Sequence, residues 1–586
     1  MRSSHHKRFR FVCLQLPLSV LASIRFVTKS RKKFDRLSLL IAVGLFLLSL
    51  SLRIPASTGS FWVDELHTAW TISGSFSEVS TRAAAGNQQS IYFQFLWLWA
   101  KTGGDGELVL RATSVIAVSL SCSLLFLFVS RGLGQRGLGQ RGLGQRGLGQ
   151  RVLGQRGHLW QPQTSRLGGT AAGLLLAVDG HSIYFGTELR PYAIVILLST
   201  IACGCYARLW RRTSDAGRGA VEWVGLFLCI GTAAVCQITS LAVLGWLPLF
   251  LLARWVYRDG ARSLTPKPVD FAIVVLFVLV GWSIVSADTA STWRERGLWS
   301  SFASANSLRQ LWILWPWKWI VVCPFSFLLV AFLVDRYMRP HHPGHAAEQE
   351  VRTRYRDSES LVLSLLLVVL LSTLLIWCVA YFEIVALWHR RYLVATLPML
   401  CWCFGAASGT ASETLFRRQE VARIVGCLIV AGLIAMTMID QGTVARLTKG
   451  YWPVSRREDW RAAIAFVNEI DMGKDEIEVC LDPGLIEQQT IETPRRTIEQ
   501  GEYLRYAIDG PYLLRDDVEW KVSVSGRRLS EAIESYGKLP MVILSRRSKQ
   551  RLLSELGSTY SLHDFGNVSV GVRRSRDGFQ LSGALE

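Results

Sequence analysis

Long apolar runs, each close to the roughly 20 residues that a bilayer core about 30 Å thick requires, alternate with short polar segments between residues 37 and 440. Eleven such runs are legible, over 37–52, 109–129, 167–184, 192–209, 221–236, 241–256, 271–287, 311–334, 361–381, 393–407 and 424–439. The pattern predicts a polytopic α-helical membrane protein with about eleven transmembrane helices. An earlier apolar run, 11–24, lies between Lys7, Arg8 and Arg10 and the group Lys29, Arg31, Lys32, Lys33 and Arg36. At about 14 residues it is short for a span, and it reads as an interfacial or signal-like stretch within a basic cytoplasmic N-terminal segment, 1–36. After about residue 441 charged residues become frequent and apolar runs shorten. There EIEVCLD and PMVILS read as buried strands, and DWRAAIAFVNEI has helical spacing that places Trp460, Ile464 and Val467 near one face. A small α/β domain outside the membrane is expected over 441–586.

Charge gives the spans a direction. With the N-terminus cytoplasmic, the inside loops are 131–166, the segments around Arg208, Arg211 and Arg212 and around Arg254, Arg258 and Arg262, the stretch 335–357, and the loop with Arg417, Arg418 and Arg423. Cations outnumber acids in each, as positive-inside topology requires. An odd number of spans then puts the C-terminal segment outside, and a bacterial inner membrane is the expected location. The loop 53–108 is the first outer one.

Composition agrees with a membrane protein: 50% of the 586 residues are hydrophobic, with 22 Trp and 26 Phe. The net charge of +20 would suit nucleic acid, but the Arg and Lys residues lie between apolar runs and form no single basic surface, so no nucleic-acid partner is expected. All of the 12 Cys except Cys480 lie in or beside apolar stretches without paired CxxC sets, which argues against a zinc site or a disulfide framework. The loop 131–166 contains four copies of RGLGQ and one of RVLGQ. One apolar residue against two glycines per unit cannot bury a core, so this loop reads as flexible and basic.

Candidate chemistry is concentrated at the outer ends. The first outer loop reads SFWVDELHTAW, with Asp64 and Glu65 just beyond the first span and Trp62 and Trp70 at headgroup depth. An acidic pair in a loop is ordinarily solvated surface; here it also lies where a lipid-linked substrate presents its head. Arg190 stands in TELRPYAIV, where Pro191 suits the first turn of a helix, and Arg390 and Arg391 stand in LWHRRYLVATLP. Cations at outer helix ends run against the charge rule, so they call for partners such as Glu188 or Glu383, or for a phosphate. His67 could join Asp64 and Glu65 around a divalent cation only if the stretch is helical; a loop histidine is more often polar surface, and no metal is expected.

FWVDELHTAW, IYFQFLWLW, GELVLRATSV, TELRPYAIVILLS, HRRYLVATLP and SRREDWRAAIAFVNE, in that order, resemble the type C glycosyltransferases of the protein-mannosyltransferase and aminoarabinose-transferase kind, over almost the whole chain. The resemblance implies a membrane enzyme that moves a sugar from a polyprenyl-phosphate donor to a protein, lipid or glycan acceptor on the outer face. It implies Asp64 as catalytic base with Glu65 assisting, and Arg190 and Arg391, accompanied by Tyr192 and Tyr392, as groups that contact phosphate or shape the site. Many members carry a His-Pro-Pro-like element after the acidic pair; this chain has Gln88, Gln89 and Ser90 there, and Gln88 is counted among the substrate-binding residues. The chemistry fits these roles. A hydroxyl needs a carboxylate to take its proton as it attacks, and direct attack inverts the anomeric carbon. The departing phosphate is a weak base that needs cations more than an acid. The alternatives are a multi-spanning transporter or flippase of lipid-linked or anionic substrates, against which no inverted repeat is apparent, and an inactive membrane scaffold.

Overall fold

The structure, a computed structural model, describes residues 36–86, 88–134, 164–211, 219–259, 303–338, 345–415, 420–449, 458–470, 476–482, 498–516, 519–524 and 541–574. The expected span 271–287, the run 11–24 and the repeats beyond residue 134 lie outside the described residues.

The helices follow the apolar runs. In chain order they are α1 (Arg36–Arg53), α2 (Val63–Ser73), α3 (Glu78–Ala85), α4 (Ser90–Gly103), α5 (Glu107–Gly134), α6 (Thr164–Val178), α7 (Gly180–Gly186), α8 (Tyr192–Trp210), α9 (Ala220–Cys236), α10 (Leu241–Leu244) and α11 (Trp246–Asp259). Next come α12 (Arg309–Ile313), α13 (Cys323–Met338), α14 (His345–Tyr381), α15 (Leu397–Leu415), α16 (Glu420–Asp440) and α17 (Thr443–Lys449). Among the described residues six helical stretches are long and apolar enough to cross a bilayer: Arg36–Arg53, Glu107–Arg131, Tyr192–Trp210, Ile238–Tyr257, Glu359–Tyr381 and Arg390–Leu415. Shorter apolar helices cover Arg166–Val178, Ala220–Cys236, Lys318–Val334 and Ile424–Asp440. The chain is a polytopic α-helical membrane protein.

Three stretches depart from the pattern read in the sequence; in one, the expected span 311–334, α12 ends at Ile313 and the apolar helix resumes at Lys318. The expected span 167–184 is not continuous: α6 stops at Val178, and Asp179 caps a new helix by accepting the Ser182 N–H at 2.8 Å. An Asp-Gly pair favours such a break, because the Asp side chain competes for backbone N–H groups and Gly loses more entropy than other residues in a helix. The long loop 53–108 is largely helical, holding α2, α3 and α4.

In hydrocarbon, apolar side chains gain little by leaving lipid, so close backbone approach and interhelical hydrogen bonds hold the bundle. The centre is α15, most of whose residues are buried. Gly405 and Gly409 face Gly168 of α6, so near that a β-carbon on Gly409 would stand 2.7 Å from the Gly168 Cα and one on Gly405 would strike the Gly168 carbonyl. Polar contacts add to this: Ser199 Oγ donates to the Ala395 carbonyl at 2.5 Å and Tyr206 Oη to Ser364 Oγ at 2.8 Å. Arg53, fully buried at the end of α1, donates to the Ala177 carbonyl at 3.0 Å and to Ser182 Oγ at 2.8 Å, satisfying a carbonyl orphaned where α6 ends.

The C-terminal residues form an α/β unit with α18 (Trp460–Glu469), α19 (Ile498–Asp509) and α20 (Lys549–Leu556). Its strands β1 (Glu476–Asp482), β2 (Glu519–Val524), β3 (Val542–Ser545), β4 (Tyr560–Phe565) and β5 (Val568–Arg573) form one sheet in the order β2-β1-β3-β5-β4. β1 runs parallel to β2 and β3, while β5 is antiparallel to β3 and β4. Trp460, Ala463, Ile464 and Val467 form the buried face of α18. The β4–β5 turn uses Gly566 at φ 77°, a conformation that glycine takes without steric cost.

Candidate active site

The alternation of chain direction brings together the C-terminal ends of α1, α6 and α9 and the N-terminal ends of α5 and α8, beside the turn 390–396 that opens α15. Asp64 and Glu65 lie in the first turn of α2, at this end.

The two carboxylates have different surroundings. Glu65 is fully buried and saturated. Its Oε1 accepts the Arg111 Nε–H at 3.0 Å and the Leu189 N–H at 2.8 Å, and Oε2 takes an Arg111 Nη2–H and lies 3.4 Å from the Trp62 nitrogen. Arg111 also donates to the carbonyls of Ser57 at 2.9 Å, Gly59, and Ser60 at 3.0 Å. This knot ties α2 to α5 and to the segment that leads into Arg190.

Asp64 is partly open, with a side-chain exposure of 24%, and its Oδ2 pairs with Arg190 Nη2 at 3.2 Å. Burial would raise its carboxyl, but Arg190, Arg391 and Arg546 outweigh that and hold it below the usual carboxylate range. Asp64 is therefore ionised at neutral pH. Among the described residues no further hydrogen bond reaches its Oδ1.

Arg190 has a side-chain exposure of only 7%, and its Nε and Nη1 are buried without a hydrogen-bond partner. A guanidinium is a five-donor fork that burial penalises heavily when its donors are unmet. The Oη of Tyr92, itself buried within the electrostatic reach of Arg190, is likewise unmet. Arg391 lies within the electrostatic field of Asp64 and Tyr192; its Nη2 donates to Tyr392 Oη at 3.0 Å and its guanidinium lies 4.9 Å from that ring. Gln237, from the end of α9, donates to the Arg391 carbonyl at 2.7 Å. Tyr192 packs on Phe185 at 5.2 Å.

Asp64, Arg190, Tyr192, Arg391 and Tyr392 thus form one electrostatic neighbourhood. Glu65 lies beside it but is turned towards Arg111. Gln88 closes its own turn, with its side-chain amide donating to the Gly86 carbonyl at 3.3 Å, and among the described residues it makes no hydrogen bond to the other candidates. Its neighbour Gln89 reaches across instead: with its amide turned so that the nitrogen faces α9, it donates to the Val235 and Ala234 carbonyls at 2.7 Å each. Arg390 and Arg391 diverge, for Arg390 donates to the carbonyls of Leu314 at 2.8 Å and Ile313 at 3.1 Å, at the end of α12. Although α2 is helical, His67 packs at 5.8 Å from Trp70 and 6.3 Å from Phe93. Burial and Arg190 lower its pKa to about 3, against the opposing pull of Asp64. No group of three or more metal-ligating side chains occurs among the described residues.

Sequence reasoning missed Arg111, Tyr92 and Gln237. Arg111 alone carried a signal, a cation at the start of an apolar span that needs a buried partner.

No protein-family model and no curated protein matches the chain. Among solved structures it is similar to ArnT from Cupriavidus metallidurans bound to undecaprenyl phosphate, at 12% identity and a TM-score of 0.47, over 93% of this chain and 99% of that one. It is also similar to the archaeal oligosaccharyltransferase AglB from Archaeoglobus fulgidus in complex with an inhibitory peptide and a dolichol-phosphate, at 10% identity and a TM-score of 0.41, over 93% of this chain and 75% of that one.

Proposed function

We propose that this protein is an inverting membrane glycosyltransferase that moves a sugar from a polyprenyl-phosphate donor to a hydroxyl acceptor, on the face that carries the C-terminal unit. The observation that carries the reading is Arg190. One of its nitrogens holds Asp64 at 3.2 Å, while Nε and Nη1 are buried and unmet. A phosphodiester oxygen is the ligand such a fork accepts, and a second guanidinium, Arg391, shares the neighbourhood. Arg190 and Arg391 both act on Asp64, so an anion seated beside them meets two guanidiniums.

The step follows from this arrangement. The acceptor oxygen attacks the anomeric carbon from the side opposite the phosphate and gives its proton to Asp64. The bond between the anomeric carbon and the phosphate oxygen breaks, and the electron pair leaves with the polyprenyl phosphate. Arg190 and Arg391 stabilise the negative charge that develops there. Arg190 also keeps Asp64 ionised and aimed. In this reading Glu65 assists by holding the loop between α7 and α8 through Leu189, and Tyr192 and Tyr392 flank the phosphate. The lipid chain of the donor lies among the spans.

The test is transfer of radiolabelled sugar from polyprenyl-phosphate donors by the purified protein, wild type against Asp64→Asn. Loss of about 10²–10⁴-fold in the asparagine variant is expected for removal of a general base. An unchanged rate sinks the base assignment, and no transfer from any donor favours a transporter or an inactive scaffold.

A further inference from the structure

The helix that carries Asp64 caps itself only in part, through Glu65 Oε2 at 3.4 Å from the Trp62 nitrogen. Its N-cap residue is Trp62, whose indole is only a donor, so the Val63 N–H at the first helical position needs an acceptor from elsewhere. The far end of the chain supplies one acceptor for that N–H and another for the Phe61 N–H just before the helix. Glu458 Oε2 accepts the Val63 N–H at 2.9 Å across 395 positions, and Tyr512 Oη accepts the Phe61 N–H at 2.7 Å across 451 positions.

Glu458 is almost fully buried and is itself fixed. Its backbone bridges to Gly566 at the β4–β5 turn, its Oε2 also accepts the Trp460 indole N–H at 3.0 Å, and its Oε1 accepts Arg546 Nε at 2.8 Å with Nη2 at 2.7 Å. The same surface grips the loop before α2. Arg461 pairs with Glu107 and lies 3.3 Å from the Thr58 carbonyl, and Tyr512 Oη donates to Glu107 Oε1 at 2.8 Å.

We propose that the C-terminal α/β unit is a working part of the active site, in which Glu458 is a positioning residue for Asp64. By accepting the N–H of the residue immediately before Asp64, Glu458 fixes the first turn of α2 and with it the carboxylate's aim at the reacting hydroxyl. A carboxylate at a helix N-terminus is favoured by the exposed N–H dipoles, and Arg546 offsets the charge it brings near Asp64. The inference rests on Asp64 being the base, and it gives the C-terminal unit a task at the catalytic centre.

Two measurements separate this role from general support. In hydrogen exchange, Glu458→Ala should speed exchange of the amides at Val63 to Leu66 by about tenfold or more, the loss of one charge-assisted hydrogen bond, whereas Glu458→Gln, which keeps an acceptor, should protect them. In transfer assays Glu458→Ala should lower kcat by about tenfold to a hundredfold, the effect of a small misplacement of a reacting group, with KM for the donor and binding of methyl farnesyl phosphate unchanged. Glu458→Gln should restore most of the rate. Unaltered exchange in Glu458→Ala overturns the inference, as does equal loss of kcat and phosphodiester binding. Failure of the base assignment is read separately, from an Asp64→Asn protein that keeps its rate while the exchange result stands.

Discussion

Asp64 and Glu65 are neighbours in the chain yet are bound to different arginines, Asp64 to Arg190 at 3.2 Å and Glu65 to Arg111. One helical step turns the first carboxylate towards a partly open site and the second into a closed polar knot. Adjacent acids of identical chemistry thereby take different tasks, and the difference can be measured.

Glu65→Gln removes the charge that Arg111 meets while both groups stay buried. An uncompensated guanidinium at such a site costs about 3–5 kcal/mol, so the variant should lose much of its stability to heat in detergent. Asp64→Asn, on a partly exposed side chain that still offers Arg190 an amide oxygen, should lose less stability than Glu65→Gln. Thermal unfolding followed by tryptophan fluorescence distinguishes the two, and equal stability of Glu65→Gln and wild type contradicts the role given to the knot.

The crossing of α6 and α15 predicts a second, purely structural effect. A β-carbon on Gly405 meets the Gly168 carbonyl and stands 2.7 Å from the Ala172 Cβ, and neither neighbour is the flexible tip of a side chain. Gly405→Ala must push the helices apart, at a cost of about 1–3 kcal/mol by analogy with overpacked cores. Gly432, where an added β-carbon has nothing within 4 Å, is the control. Unfolding in detergent should be easier for Gly405→Ala and unaltered for Gly432→Ala.

These two sites show what the sequence could and could not convey. Apolar run length is a local property, so runs such as 37–52 and 192–209 fall on the helices Arg36–Arg53 and Tyr192–Trp210. The break at Asp179 was also written locally, in an Asp-Gly pair, but the hydrophobicity on either side concealed it. Partner choice was not legible. Glu188 and Glu383 are nearer in sequence to the outer arginines than Asp64 is, yet Arg190 meets Asp64 because α2 and the start of α8 converge at the same end of the bundle. Arg390 and Arg391 read as one basic pair, but the turn at 390–396 sends Arg390 to the Ile313 and Leu314 carbonyls and Arg391 to Tyr392. That Val63 is capped by Glu458 depends on how the C-terminal unit sits on the loop, which no local pattern encodes.

Arg190 offers a direct test of the anion site. Lysine at 190 keeps the charge opposite Asp64 but lacks the planar fork whose Nε and Nη1 are unmet in the structure. Binding of methyl farnesyl phosphate, a phosphodiester of constant charge, should weaken by about tenfold to a hundredfold, corresponding to about 1.5–3 kcal/mol for charge-assisted hydrogen bonds. Titration calorimetry in detergent provides the measurement. Affinity within twofold of the wild type removes the phosphate role from Arg190.

The pH dependence of transfer follows from the charges around Asp64. Burial acts to raise its carboxyl, but Arg190, Arg391 and Arg546 together hold it below its usual value. Its ionised form therefore stabilises the fold at pH above the unfolded value of about 3.9, and this contribution is lost as pH falls through the lower folded value. As the base, Asp64 should leave the rate flat through the neutral range, with an acidic limb only below the ordinary carboxylate range. Two histidines share its field without adding a limb near neutrality: burial and Arg190 push His67 down to about 3, and burial with Arg391 and Arg390 pushes His389 down to about 4. Arg546→Gln removes one cation from this set and leaves the Glu458 carboxylate without the guanidinium it now holds at 2.7 Å. Both changes favour protonated Asp64, so the acidic limb of kcat/KM should move to higher pH, while Arg546→Lys should move it less. An acidic limb at the same pH in all three proteins means that Arg546 has no electrostatic hold on the base.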